Sequence, residues 1–131
     1  MFGTNSRGVN EYARISVETG VVAASPQRLV VMLYEGAIAA CSSALLHMQS
    51  GNVAEKGTAL SKAIMIIESG LRASLNQQAG GEISANLDAL YAYMSNRLYI
   101  ANLRNQPEPI SEVMQLLGDF KAAWEAIAAK V

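Results

Sequence analysis

One cysteine (Cys41) and one histidine (His47) occur in the 131 residues. A lone thiol excludes an internal disulfide framework and a cysteine metal cluster, and fits a reducing compartment. A lone imidazole, with no cysteine or acidic cluster beside it, argues against a metal site and fits a helix-terminal or solvent-facing role. Charge is scarce too. Charged residues make up 16% of the chain, and ten basic side chains face eleven acidic ones for a net charge of −1. That leaves no basic excess to bind phosphate. Tyr91, Tyr93 and Tyr99 therefore do not read as a nucleic-acid surface, because no basic residues surround them. No apolar run approaches eighteen residues, so no membrane-spanning helix is expected. The opening MFGTNSRGVNEYARIS is polar, without the apolar core of a secretory signal. What is abundant is apolar material, at 51%. That is too much for a disordered chain, and enough in one domain of this length to bury roughly two-thirds of its surface.

Catalytic groups are missing as well. Ser42-Ser43 has no base partner for a nucleophile. Gly80-Gly81-Glu82 lacks the lysine and preceding strand of a phosphate loop, and reads instead as a left-handed turn with Glu82 at a helix start. Carboxylates are spread singly, with no Glu-x-x-His pair for a di-iron bundle. The reading is no enzyme, no cofactor, no metal and no catalytic residue.

Proline at 26, 107 and 109 and a few glycine clusters punctuate the chain. Residues 1–24 read as an arm, polar at first and more apolar from Tyr12 to Val22, where Tyr12, Ile15 and Val17 offer anchors. Residues 25–131 read as four helices. The first begins at Ser25-Pro26, a preferred N-cap followed by proline at a position whose N–H has no helical partner. It runs to about Gln49 and stops at Ser50-Gly51-Asn52. The second spans Val53 to about Gln77 and ends at Ala79-Gly80-Gly81. The third spans about Glu82 to Arg104 and breaks at Asn105-Gln106-Pro107. The fourth runs from about Pro109-Ile110 to about Ala129. Period-two strand patterns are absent. The expected class is all-α: an antiparallel up-down-up-down four-helix bundle with an N-terminal arm.

At about 100° per residue the apolar positions fall into stripes. The fourth helix has one, Val113, Leu116, Leu117, Phe120, Trp124 and Ile127. The second has Leu60, Ile64, Ile67, Leu71 and Leu75, plus a row of Ala59, Ala63, Ile66, Gly70 and Ala73 that lets another helix approach closely. The third has Ile83, Leu87, Leu90, Met94 and Leu98, with Ala85, Ala89, Ala92, Tyr93, Ile100 and Leu103 set apart from them. The first is apolar over half its circumference, with Met32, Ala39 and Leu46 recurring every seven residues on a further side. A bundle helix needs one stripe somewhat over 100° wide. The surplus has two readings: ordinary packing between two neighbours with scattered exposed alanines, or an apolar groove for an amphipathic partner helix.

Further residues carry a family likeness. Tyr12-Ala13-Arg14-Ile15-Ser16-Val17-Glu18-Thr19 is followed by Ala24-Ser25-Pro26 and Met32-Leu33-Tyr34-Glu35-Gly36-Ala37. Later come Ser61-Lys62-Ala63-Ile64, Gly80-Gly81-Glu82-Ile83, Asn86-Leu87, Leu90-Tyr91-Ala92-Tyr93-Met94, Arg97-Leu98 and Ala101-Asn102. In this order and spacing, from about Tyr12 to Ile127, the chain resembles the flagellin-specific export chaperone family, FliS. The resemblance implies a cytoplasmic helical bundle that binds the C-terminal segment of newly made flagellin, keeps it from polymerising early and escorts it to the flagellar type III export gate without consuming ATP. It implies gate docking through Val9 and Tyr12, and an arm, here Tyr12 to Val22, that folds over the client groove. Whether that arm covers its own groove or swaps into a homodimer stays open. From the surplus seams, the expected groove residues are Tyr34, Ile38, Ile66, Tyr93, Ile100 and Leu103, with Met32 and Leu46 as further candidates. Core packing is the alternative for each. The rival function is a structural bundle that self-associates through those seams.

Overall fold

The computed structural model of the chain describes residues 25–75 and 80–128. Within them it is a four-helix bundle: α1 Pro26–Gln49, α2 Val53–Met65, α3 Gly81–Arg104 and α4 Glu108–Ala128. A π-helical turn, Ile66–Leu71, and a 3-10 turn, Arg72–Ser74, prolong α2. The described residues contain no strand. The expected arm at 1–24, with Val9 and Tyr12, lies outside the described residues. So do the expected helix ends near Gln77 and Ala129.

Local chemistry fixes the helix ends. Ser25 is extended (φ −63°, ψ 161°), its hydroxyl accepts from the Arg28 N–H at 3.1 Å, and Pro26 opens α1. Three residues join α1 to α2. The Ser50 N–H returns to Leu46 O at 3.0 Å, the Asn52 N–H to His47 O at 2.9 Å, and Gly51 supplies a positive φ of 75°. Gly81 enters α3 at φ 59°, the left-handed turn its sequence suggested. Asn105 ends α3 in the left-handed region (φ 54°, ψ 50°), a conformation asparagine tolerates better than most residues. Helix α4 starts at Glu108, just before the expected Pro109.

Helix α1 packs along both α2 and α4, and α3 packs on α4, α2 and the π turn. Helix ends meet start to end. Lys56, near the start of α2, is buried, and its Nζ donates to Asn102 O (3.3 Å) and Asn105 Oδ1 (3.0 Å) at the end of α3. A cation there complements the carbonyl end of the α3 dipole. Ser84, near the start of α3, donates to Leu75 O. The core between the helices holds Leu29, Leu33, Leu60, Ile67, Leu71, Leu98 and Leu117 among its fully or nearly fully buried side chains.

Two expectations need correction. By length and apolarity α1 is sufficient to cross a membrane, although the sequence had suggested that no segment is; half of its most apolar stretch is buried inside the bundle, as in the core helix of a folded domain. Ile83 and Ile127, placed on core stripes by their spacing, are 61% and 48% exposed. Both sit in terminal turns, and a stripe read from spacing carries no information about where the facing helix ends. Tyr91, unlike Tyr93 and Tyr99 on the same helix, is fully buried. Its hydroxyl is hydrogen-bonded to that of Tyr34, with the rings tilted 52° and their centroids 6.4 Å apart, and Tyr34 is also bonded to Trp124. This pairing carries two phenols into the core without leaving their hydroxyls unsatisfied.

Candidate functional site

A groove of about 660 Å³ runs between α1 and α2. From α1 it is lined by Gly36, Ala39, Ala40, Ser43 and His47. From α2 come Ala54, Glu55, Thr58, Ala59 and Lys62, and Ile66 closes one end opposite Gly36. The residues on each wall recur at three- and four-residue intervals, which puts them on one face of each helix. Their smallness makes the groove. Glycine and alanine let a third helix approach closely, whereas leucine at the same positions would fill the space. The wall grades from apolar at Gly36, Ala39 and Ile66 to polar at His47, Glu55 and Thr58. His47 lies in the last turn of α1, where its Nδ1 pairs with Asn52 Nδ2 at 3.3 Å.

A second apolar surface lies on α3. Tyr93, Tyr99 and Leu103 are 43%, 60% and 69% exposed, and Ile100 is half-buried beside them. The exposed positions from Ala85 to Leu103 carry alanine, asparagine, tyrosine and leucine, without a charge. The charged side chains of that stretch, Asp88 and Arg97, are turned to partners: Asp88 to Arg72 (2.8 Å) and Arg97 to Glu112 (2.7 Å). Tyr93 donates to Glu112. That hydrogen bond, with the Arg97 contact, holds the Glu112 carboxyl below its ordinary range.

The eight expected groove residues are not gathered in one place. Ile66 lines the α1–α2 groove. Tyr93, Ile100 and Leu103 share α3. Met32 and Ile38 are half-buried against the core, Leu46 is exposed on α1, and Tyr34 sits inside the bundle. Burial pushes the Tyr34 hydroxyl up to about 12, as it does the Cys41 thiol. Among the described residues no group of three histidine, cysteine or acidic side chains converges to hold a metal ion. The groove floor itself (Gly36, Ala39, Ala40, Ala54 and Ala59) was missing from the expected site. Its signal lay in the small-residue row that includes Ala59 and in the recurrence of Ala39. A search for bulky apolar side chains passes over both. Tyr99 was missed as well.

The family model described as "Flagellar protein FliS" matches residues 8–131. The flagellar secretion chaperone FliS of Salmonella typhimurium strain LT2 is 50% identical over 123 residues, 94% of this chain and 91% of that protein. Its namesake in Escherichia coli strain K12 is 47% identical over 120 residues, covering 92% and 88%. That of Bacillus subtilis strain 168 is 34% identical over 114 residues, covering 87% and 80%.

Proposed function

Because this chain belongs to the FliS family of flagellar export chaperones, we propose that it binds the C-terminal segment of newly made flagellin, with the α1–α2 groove as the principal seat and the uncharged face of α3 as a second contact. The observation that carries this reading is the groove: a small-residue floor between α1 and α2, of the kind that receives the apolar face of an amphipathic partner helix. A client segment without stable structure would order on binding, and the apolar area it buries offsets that entropy cost. The near-zero net charge fits recognition led by apolar burial rather than by long-range attraction.

On this reading the protein works in the cytoplasm, without catalysis or ATP. It keeps flagellin from polymerising early and delivers it to the flagellar export gate, docking there through Val9 and Tyr12. The bundle is antiparallel, up-down-up-down, with residues 1–24 as an arm that folds over the groove, its own or that of a second copy in a homodimer. Within the site, Ile66 closes the groove, and Tyr93, Ile100 and Leu103 contact the client on α3. Leu46, Ile38 and Met32 extend that contact along α1, and Tyr34 acts from beneath, by holding α1 in place.

The test is Ala39→Glu, which puts a carboxylate in the groove at an exposed position. The variant should melt as the wild type does and lose binding to a flagellin C-terminal peptide in calorimetric titration. A folded Ala39→Glu protein with undiminished affinity would remove the groove from the site. Self-association through the α3 face is the rival: an obligate oligomer indifferent to the peptide, seen by light scattering, would favour it.

A further inference from the structure

The α-helical winding of α2 stops at Met65, beside the closed end of the groove, and gives way to the π turn Ile66–Leu71 and the 3-10 turn Arg72–Ser74. A π turn holds more residues per turn than an α turn, is rare, and marks functional sites more often than chance. Here contacts on two sides hold it. Toward α1, Gly70 lies so close to Leu33 that a β-carbon would come within 2.8 Å of Leu33 Cδ2. Toward α3, Arg72 reaches back across the turn to Glu68 (2.7 Å) and over to Asp88 (2.8 Å), while the second oxygen of Glu68 accepts from the Ser95 hydroxyl (2.6 Å). Ile66, the first residue of the π turn, is the one bulky apolar side chain among the described residues lining the groove. Glu68, Arg72, Asp88 and Ser95 do not line it.

We propose that the clasp of Glu68, Arg72 and Asp88 sets the closed end of the client groove by holding the π turn in register, which makes Arg72 a positioning residue for client binding. The proposal rests on the groove reading above. An α-helix advances about 100° per residue. Rewinding the π turn to α would therefore rotate everything after it by close to one position. Arg72 would turn away from Asp88, and a residue with a side chain would replace Gly70 against Leu33. Helices α1 and α2 would then part where the groove ends, and a client helix fitted to the closed end would lose its contact with Ile66. The device needs both carboxylates held in a fixed geometry, which arginine's rigid planar fork provides better than the flexible point charge of a lysine ammonium.

The experiment compares Arg72→Gln, Arg72→Lys and a deletion of Ser69, which removes one residue from the π turn. Each is titrated with the flagellin C-terminal peptide, and amide hydrogen exchange over residues 66–74 is followed in the free protein. Arg72→Gln and the deletion should keep a cooperative melt, exchange faster over 66–74 and bind the peptide on the order of tenfold more weakly. Arg72→Lys should fall between them and the wild type. Faster exchange with unchanged affinity in Arg72→Gln overturns the proposal, and so does unchanged exchange. If the deletion fails to fold, Arg72→Gln decides alone, since its side chain is about a third exposed. Ala39→Glu separates the two levels. If it binds normally, the groove reading has failed. If it loses binding while Arg72→Gln does not, the groove stands and the positioning role falls.

Discussion

Helices α1 and α3 have the same length, 24 residues, and opposite fates. In α1 nine side chains are buried, on faces turned to α2 and to α4. In α3 five are buried, along one stripe of Leu87, Tyr91, Met94, Leu98 and Ala101, and the exposed positions between Ala85 and Leu103 stay uncharged, with Tyr93, Tyr99 and Leu103 on the surface. The contrast teaches that an apolar residue count is not a measure of core. In α1 the surplus goes to a second internal contact and to the small-residue wall of a groove. In α3 it is left on the surface, where a solvated helix would carry lysine and glutamate.

The sharpest division to test lies within α3. Leu98→Ala should cost about 2–5 kcal/mol in urea unfolding, the usual range for a buried leucine. Leu103→Ala should stay within about 0.5 kcal/mol of the wild type, as surface changes do, while weakening the flagellin peptide. Equal stability losses would erase the distinction between the two faces. On the α1 side, Gly70→Ala should cost about 1–3 kcal/mol by overpacking against the buried Leu33 side chain. A neutral Gly70→Ala would mean that the approach of the two helices is slack.

Burial of a tyrosine and a thiol gives α1 a pH signature. Unfolded, Cys41 and Tyr34 lose their protons near 9.0 and 10.0; folded, both hold them to about 12. The folded state therefore binds more protons between those limits. The associated stability is fully present below pH 9 and is lost as pH rises toward 12. Denaturant midpoints taken from pH 8 to 11 should fall, and should fall less steeply in Tyr34→Phe, which at neutral pH should itself cost on the order of 1 kcal/mol through its hydrogen bonds. The smallest effect belongs to surface pairs such as Lys121–Glu35 (3.5 Å). Glu35→Gln should change stability by less than about 1 kcal/mol, and by less still at high salt.

Much of this was legible in the sequence, and the reason is local chemistry. Ser25-Pro26 announces a helix start, Gly80-Gly81 a left-handed turn, and Ser50-Gly51-Asn52 and Asn105-Gln106-Pro107 mark helix stops, because each depends on its own backbone and near neighbours. The π turn was not legible, since it is held from outside α2, by Leu33 on α1 and by Asp88 and Ser95 on α3. The pairing of Tyr34 with Tyr91 was hidden for a related reason. A phenol enters a core when another helix brings a partner for its hydroxyl, and that partner lies 57 positions away. The groove escaped because it is made of what alanine and glycine leave empty.

The division of apolar surface between core and client meets its most direct test in one co-purification. The chain is mixed with full-length flagellin and with flagellin lacking its C-terminal segment, and each mixture is sized by chromatography with light scattering. A one-to-one complex with the full-length protein and none with the truncated one is the expected result. Equal association with both, or an oligomer of the chain alone in each mixture, would contradict it.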